Sequence, residues 1–514
     1  GDFPRSWPLA EIELGGNIES IQLLFEGFAT ALTFQNILFV LLGVFLGTVI
    51  GMLPGIGPVN AIAVLFPIVY TLEVPAATVM ILFAGIYYGS QYGNSISSIL
   101  LNVPGTSAAA VTTIDGYSMA KQGLGGKALA MSAIASFIGG TISIFFLALF
   151  APVLADLAIN FGPAEYTVLM VFAFIALSSF SQGSLLKAII SAFLGLAIAA
   201  IGIDSTTGAS RLTFGMMELY DGIDFIVVVI GFFAVSEILI MLGQKDSDQS
   251  KMQPLTSLWI TFKEITGSLA TSLRSCFSGF LIGVLPGAGG TIASFIAYAT
   301  EKKILRPNQF GNGDIRGVAA PESANNSASV GSFIPLLILG VPGSETTAVM
   351  LGGLISFGIK PGPLLLETSP DVFWGLAASM FIGNLFLIIL NLPLVGLFAK
   401  ILQTPRWILM PLITMLCVVG AYTINGSEFD VLLILIFGLI GYFLRRADFP
   451  LAPLILGVVL GDLIETNFRR AMIYSGGDVI IFFESSICLT LWILAAVSLF
   501  APTLINSIQK KVHS

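Results

Sequence analysis

The chain has 514 residues, of which 56% are hydrophobic and 10% charged, with a net charge of −8 and one histidine, His513, in its polar tail. This balance excludes a soluble globular protein, and a lone terminal histidine excludes histidine nucleophile chemistry, histidine metal sites and haem ligation within a membrane. A mean hydropathy of +0.95 and spanning-length apolar runs predict an all-α polytopic membrane protein. The runs are continuous rather than alternating, which argues against a β-barrel. Cys276, Cys417 and Cys488 lie far apart in apolar sequence and read as packing residues, with no disulfide or metal framework. No basic patch with interleaved aromatics suggests nucleic acid.

In chain order, residues 1–20 form an acidic, polar leader without the apolar core of a cleavable signal peptide. An interfacial helix is expected at Ile21–Thr33 and a first span at Asn36–Met52. The run Gly47–Ala63 then reads GTVIGMLPGIGPVNAIA, and a first Pro-Gly break falls at Pro54-Gly55. Ala61–Tyr70 and Ala76–Tyr88 are apolar, and Tyr92–Thr113 carries a second break at Pro104-Gly105. Asp115–Lys127 reads as a polar loop that Asp115 structures. Spans are expected at Ala128–Leu157, Ala164–Ser179, Leu185–Ile203 and Phe225–Leu242, with close packing or bending at Gly139-Gly140 and Gly195. A cytoplasmic linker covers 244–261.

The second half restates the plan. Gly279–Ser294 reads GFLIGVLPGAGGTIAS, and Gly47, Gly51, Leu53, Pro54, Gly55 and Gly57 align without gaps on Gly279, Gly283, Leu285, Pro286, Gly287 and Gly289. A span at Ser268–Leu285 is followed by Thr291–Ala299, a basic loop at Glu301–Arg316, and Pro321–Leu339 leading into a further break at Pro342-Gly343. Later apolar stretches are Thr346–Phe357, Val372–Leu402, Trp407–Tyr422, Val431–Leu444, Leu451–Leu463 and Val479–Phe500. Trp259, Trp374 and Trp407 read as interfacial anchors. The expected organisation is a leader (1–20), a first repeat (21–243), the linker (244–261), a second repeat (262–505) and a cytoplasmic tail (506–514). Basic residues follow the second break in the first half (Lys121, Lys127) but the first break in the second half (Lys302, Lys303, Arg306, Arg316). That exchange predicts two inverted-topology repeats, with the N-terminus outside and the C-terminus inside. Arg469-Arg470 is the misfit, falling on the outer side.

Proline removes a backbone donor and glycine admits unusual backbone angles, so each break frees polar groups that must line an enclosed or wet cavity. Restarting helices point positive ends into it, which suits an anion, and ending helices offer carbonyls, which suit a cation. Substrate-binding candidates are Asn94, Ser95, Ser98, Asn102, Gly105, Thr106 and Ser107 in the first half. In the second they are Asn325, Asn326, Ser329, Gly343, Ser344, Thr346 and Thr347. Cation-binding candidates are Gly55, Val103, Pro104, Gly287, Val341, Pro342 and Glu345. No cofactor is expected beyond Na+ or H+ as coupling ion. Glu322 and Glu345 read either as helix caps or as coupling acids.

Several ordered motifs carry a family resemblance. They are Tyr87-Tyr88-Gly89, Ser98 through Gly105, Asp115-Gly116-Tyr117, Ala319 through Asn326, and Ile334-Pro335-Leu336-Leu337. Over roughly residues 21–505 the chain resembles the large membrane subunit of tripartite tricarboxylate transporters, the TctA family. The resemblance implies cation-coupled uptake of di- or tricarboxylates across a bacterial inner membrane. It also implies an elevator-like movement, a small membrane partner (TctB-like) and a periplasmic substrate-binding protein (TctC-like). Two other readings compete. Broken helices also line passive channels. Tyr220-Asp221 and Leu460-Gly461-Asp462 resemble the aspartates of an intramembrane aspartyl protease, although Val459 stands where that motif has glycine.

Overall fold

The structure, a computed structural model, describes residues 14–513 apart from 54–55, 181–183, 205, 244–252, 254, 256, 306–309 and 403–405. The first half comprises α1 (Leu14–Ala31), α2 (Phe34–Met52), α3 (Pro58–Thr71), α4 (Ala76–Leu101), a 3-10 turn at Ser107–Ala110, α5 (Thr112–Lys121), α6 (Gly125–Ala158), α7 (Pro163–Phe180) and α8 (Leu185–Ala199). A two-residue hairpin, β1 (Gly202–Ile203) with β2 (Ser210–Arg211), precedes α9 (Phe225–Val229), which runs through a π segment (Ile230–Val235) into α10 (Ser236–Gly243). The second half comprises α11 (Phe262–Val284), α12 (Gly289–Leu305), α13 (Ile315–Gly331) with a π turn at Pro335–Leu339, α14 (Glu345–Ser356), α15 (Leu365–Thr368) and α16 (Pro370–Asn391). It closes with α17 (Val395–Ile401), α18 (Arg406–Asn425), α19 (Glu428–Arg446), α20 (Leu451–Tyr474), α21 (Ile481–Glu484) and α22 (Ser486–His513). Among the described residues, six helical stretches are long and apolar enough to cross a bilayer. The 34 residues of α6 reach about 51 Å, well beyond a ~30 Å hydrocarbon core, so this helix must tilt or protrude.

Several sequence boundaries need correction. Ala76–Tyr88 and Tyr92–Thr113 are not separate elements: α4 runs unbroken to Leu101, because no proline interrupts the Gly89–Asn94 stretch. Most of the Asp115–Lys127 loop is the helix α5, and Val372–Leu402 divides into α16 and α17. Most of the 244–261 linker and the break residue Gly55 lie outside the described residues. Trp259 is exposed, but Trp374 is 2% exposed and packs beneath α1, where a side chain on Gly27 would meet its carbonyl.

Small residues set how closely the core helices pack. Gly43, Gly47 and Gly51 repeat every fourth residue on α2 and face Gly85, Gly89 and Gly93 on α4. A Cβ on Gly47 would lie 2.3 Å from the Ile86 carbonyl oxygen, and one on Gly93 2.1 Å from that of Thr48. The second half repeats the seam with Gly279 and Gly283 of α11 against Ala324 and Ala328 of α13. Backbone-to-backbone approach of this kind is how helices associate where lipid supplies no hydrophobic drive. Gly139 against Ser323 and Gly195 against Leu454 are close contacts of the same sort.

These seams place α4 and α13 at the centre. From Gly317 to Gly331 every residue of α13 is buried, although the stretch holds Glu322, Ser323, Asn325, Asn326, Ser327 and Ser329. The perimeter, in contrast, is apolar and exposed at Phe25, Phe193, Phe443 and Val497, as a lipid-facing surface requires. Helices α6 and α16 cross this core antiparallel: Asn384 bonds the Phe137 carbonyl and Thr141, whereas Phe381 meets Phe145 edge to face. The start of α16 packs against the α1 end at Gly27 and Thr30, while the start of α6 is tied to the start of α11 by Lys127–Glu264. Helices α2 and α11 therefore begin at opposite faces of the molecule.

Arg469, the misfit in the charge pattern, is neutralised. Asp204 and Glu465 both accept from its guanidinium, and Arg211 also donates to Glu465. The Arg469 hydrogen bonds hold the Asp204 carboxyl well below the usual carboxylate range.

Lys127 and Thr261 hold Glu264 down at about 2, against ~4.3 for an unperturbed glutamate. A depressed acid stabilises the fold above its unfolded pKa and loses that contribution as pH falls toward its folded value. Both side chains are about one-third exposed, so the pair contributes at most ~1 kcal/mol. Lys127→Met should lower the melting temperature slightly at about pH 7 and leave it unchanged at about pH 2, where Glu264 is half or more protonated. An equal deficit at both pH values would contradict this assignment.

Candidate functional site

The site is built on one face of α4. Tyr87, Gln91 and Asn94 are spaced by four and three residues, so their side chains line up along the helix. The Asn94 Nδ2 donates to Thr106 Oγ1 at 2.7 Å and to Gln91 Oε1 at 3.2 Å. From the other half, Asn325 Nδ2 of α13 donates to the same Gln91 Oε1 at 2.9 Å. One turn back, the Tyr87 hydroxyl shares a 3.2 Å hydrogen bond with Ser344 Oγ, the residue that opens α14 after the Pro342-Gly343 break. Beside this ladder, Ser107 Oγ and Thr291 Oγ1 lie 2.8 Å apart, joining the second break of the first half to the first break of the second.

The breaks themselves are tightly constructed. Helix α4 ends on Asn102 in a left-handed conformation (φ 59°), and the π turn after α13 ends likewise on Gly340 (φ 67°). Asparagine and glycine are the residues that adopt this geometry at least cost. A Cβ on Gly105 would fall 1.9 Å from the Gly51 carbonyl oxygen, so the second break of the first half seats directly on the end of α2. In the second half the Gly287 amide donates to the Gly343 carbonyl at 3.1 Å. Helix α14 starts with a capping box between Ser344 and Thr347.

The expected residues separate into groups. Asn94, Thr106, Ser107, Asn325 and Ser344 meet across the halves, while Gly105 and Gly343 permit the breaks to pack. Ser95, Ser98 and Ser329 bond carbonyls within their own helices. Thr346 is buried in the first turn of α14, and Thr347 is occupied by the cap. Asn102 is exposed as a helix cap rather than a buried amide. Among the cation candidates, the amides of Val103 and Val341 reach back to the Ser97 and Pro335 carbonyls. Pro342 is buried and Pro104 half-buried, and Glu345 is exposed at the start of α14. Asp115 does organise a loop, but it is Gly311–Asp314 of the other half: its carboxylate accepts from Tyr298 and from the amides of Gly311, Gly313 and Asp314.

Gln91 was not among the candidates, yet it is the hub. The spacing 87-91-94, which puts three polar side chains on one helical face, was the signal available for it. The Oδ1 atoms of Asn94, Asn325 and Asn326 are buried with no protein partner. Unpartnered amide oxygens of this kind can accept from a ligand hydroxyl or coordinate a hard cation. Asp221 and Asp462 are both exposed, which does not fit the shared buried site an aspartyl protease needs. Among the described residues, no group of three or more His, Cys, Asp or Glu side chains is arranged to hold a metal.

The comparisons with known proteins agree with this architecture. The model of the "Tripartite tricarboxylate transporter TctA family" matches residues 37–456. An uncharacterized 52.8 kDa protein from the TAR-I ttuC' 3' region of Agrobacterium vitis is 44% identical over 498 residues, covering 96% of this chain and 98% of its own. An uncharacterized protein from the TAR-II ttuC' 3' region of the same organism is 48% identical over 234 residues, covering 45% of this chain and 96% of its own. No solved structure matches the chain. With a multi-pass helical body, interrupted helices meeting at a polar centre and a family match across most of its length, the chain belongs to the tripartite tricarboxylate transporter TctA family.

Proposed function

We propose that this chain is the transport subunit of a tripartite secondary transporter in a bacterial inner membrane. It takes up di- or tricarboxylates delivered by a periplasmic binding protein, works beside a small membrane subunit, and is driven by an inward cation gradient, sodium or the proton. The observation that carries this reading is the hydrogen-bonded ladder of Tyr87, Gln91 and Asn94 with Asn325, Thr106 and Ser344. It places neutral donors from two sets of interrupted helices around one point. No lysine or arginine belongs to this ladder, so a carboxylate would be held by amides, hydroxyls and helix N-termini, with a co-bound cation offsetting its desolvation.

The opposite starting faces of α2 and α11 support reading the halves as inverted repeats. In that reading α2–α3 and α11–α12 are re-entrant hairpins, the second carrying Pro286-Gly287 at its tip. Glu301 near the end of α12 accepts from Arg274 and Thr271 of α11, fastening one hairpin at its open end. A rigid hairpin moving with its neighbouring broken helix is the unit an elevator-like cycle requires.

The test is uptake of labelled citrate, succinate and malate into proteoliposomes containing the chain with its membrane partner and cognate binding protein. Saturable accumulation that depends on a sodium or proton gradient is expected. Equilibration without accumulation would indicate a channel, and no uptake under any gradient would remove the reading.

A further inference from the structure

Glu322 lies in the middle of α13 with 1% of its surface exposed. Its Oε1 accepts from Thr112 Oγ1 at 2.5 Å and its Oε2 from Ser136 Oγ at 3.3 Å, and Ser132 adds a third hydroxyl interaction. Among the described residues, no lysine, arginine or histidine forms an ion pair with it. A bare carboxylate in such a place costs several kcal/mol, and hydroxyl donors recover only part of that.

Resting on the transport reading above, we propose that Glu322 carries the coupling proton of the cycle. In each cycle its carboxylate takes one proton from water at one face, becomes a neutral carboxylic acid, and returns that proton to water at the other face. The hydroxyl shell suits both states. Serine and threonine donate to an ionised carboxylate, and by rotating their O–H they accept from a protonated one. A metal ion, in contrast, would have to enter where hydroxyls already touch both oxygens.

Two features connect this acid to transport. Asn325, which bonds Gln91, and Asn326, whose Nδ2 donates to the Glu322 carbonyl, are the next residues on the same helix face. Thr112 is on α5 and Ser132 and Ser136 are on α6, all in the first half, so relative motion of the halves would open the shell.

The groups facing Glu322 leave it without a counter-ion. On α4, Tyr92 is a titratable neighbour and donates to Asn384. On α5, Asp115 lies against Gly317 and is occupied by Tyr298 and the 311–314 backbone. On α6, Lys127 is paired with Glu264; on α11 and α12, Arg274 is paired with Glu301, and Cys276 contacts Ser143 and Ser327.

The test has two arms on the full chain with its partners. In infrared difference spectra between acid and alkaline pH, the wild type should show a titrating carboxylic-acid C=O band that is missing from Glu322→Gln and shifted in Glu322→Asp. In proteoliposomes loaded with citrate, succinate or malate, Glu322→Gln should lose accumulation driven by an alkaline interior while keeping substrate exchange, and that exchange should become independent of pH. Glu322→Asp should retain accumulation with a displaced pH profile. Absence of the band in the wild type, accumulation by Glu322→Gln under the proton gradient, or loss of exchange together with accumulation in a folded Glu322→Gln would each overturn the proposal. Absence of exchange in the wild type would instead count against the transport reading, and the infrared arm would still decide whether Glu322 titrates.

Discussion

Gln91→Leu should reduce carboxylate uptake by about two orders of magnitude while leaving the protein folded in the membrane. The Gln91 Oε1 is the shared acceptor for Asn94 of one half and Asn325 of the other. Leucine keeps the volume but strands two buried amide donors, at about 1–3 kcal/mol each, and the asparagines lose the orientation that presents their free oxygens. Stability should fall by less than the sum of those terms, because Asn94 keeps its bond to Thr106. Ser95→Ala is the matched control. The Ser95 hydroxyl bonds only the Tyr92 carbonyl one turn back, so uptake should stay near wild type. Equal losses in both variants would mean that the ladder has no special place in transport.

Asp115→Ala should be the most destabilising single change outside the glycine seams, at about 3–5 kcal/mol. Four donors converge on this carboxylate: the Tyr298 hydroxyl at 2.7 Å and the amides of Gly311, Gly313 and Asp314 at 2.8–2.9 Å. Gly311 and Gly313 have φ of 90° and 102°, so the loop is folded around the acid in a conformation reserved for glycine. Without the carboxylate, these amides and the tyrosine are left unsatisfied and the loop loses its anchor to α5. Thermal unfolding in detergent should show the drop, and limited proteolysis should cut first between α12 and α13. An unchanged melting temperature would show that water replaces the carboxylate at no cost.

The breaks were legible in the sequence because proline and glycine act locally. Pro104-Gly105 and Pro342-Gly343 pair a residue without a backbone donor with one free to turn, and helices stop beside both. What depended on the partner helix was hidden. Asn102 looked like a buried amide, but its left-handed cap turns it outward. Trp374 looked like an interfacial anchor, but α1 covers it. Gln91 sits among other polar residues of α4 in sequence and stands out only when α13 brings Asn325 beside it. The pairing of Arg469 with Asp204 and Glu465, 265 and four residues away, could not be read from charge placement alone.

The central claim is that the interrupted helices of both halves surround one carboxylate. Ser107 is exposed and Thr291 half-buried, and their hydroxyls touch across the halves. Ser107→Cys and Thr291→Cys should each react with a membrane-impermeant maleimide and be protected by whichever of citrate, succinate or malate is accumulated. Glu73→Cys, in the exposed turn after α3, should react equally with or without it. Labelling at both 107 and 291 that is unaffected by a saturating transported carboxylate would contradict the account.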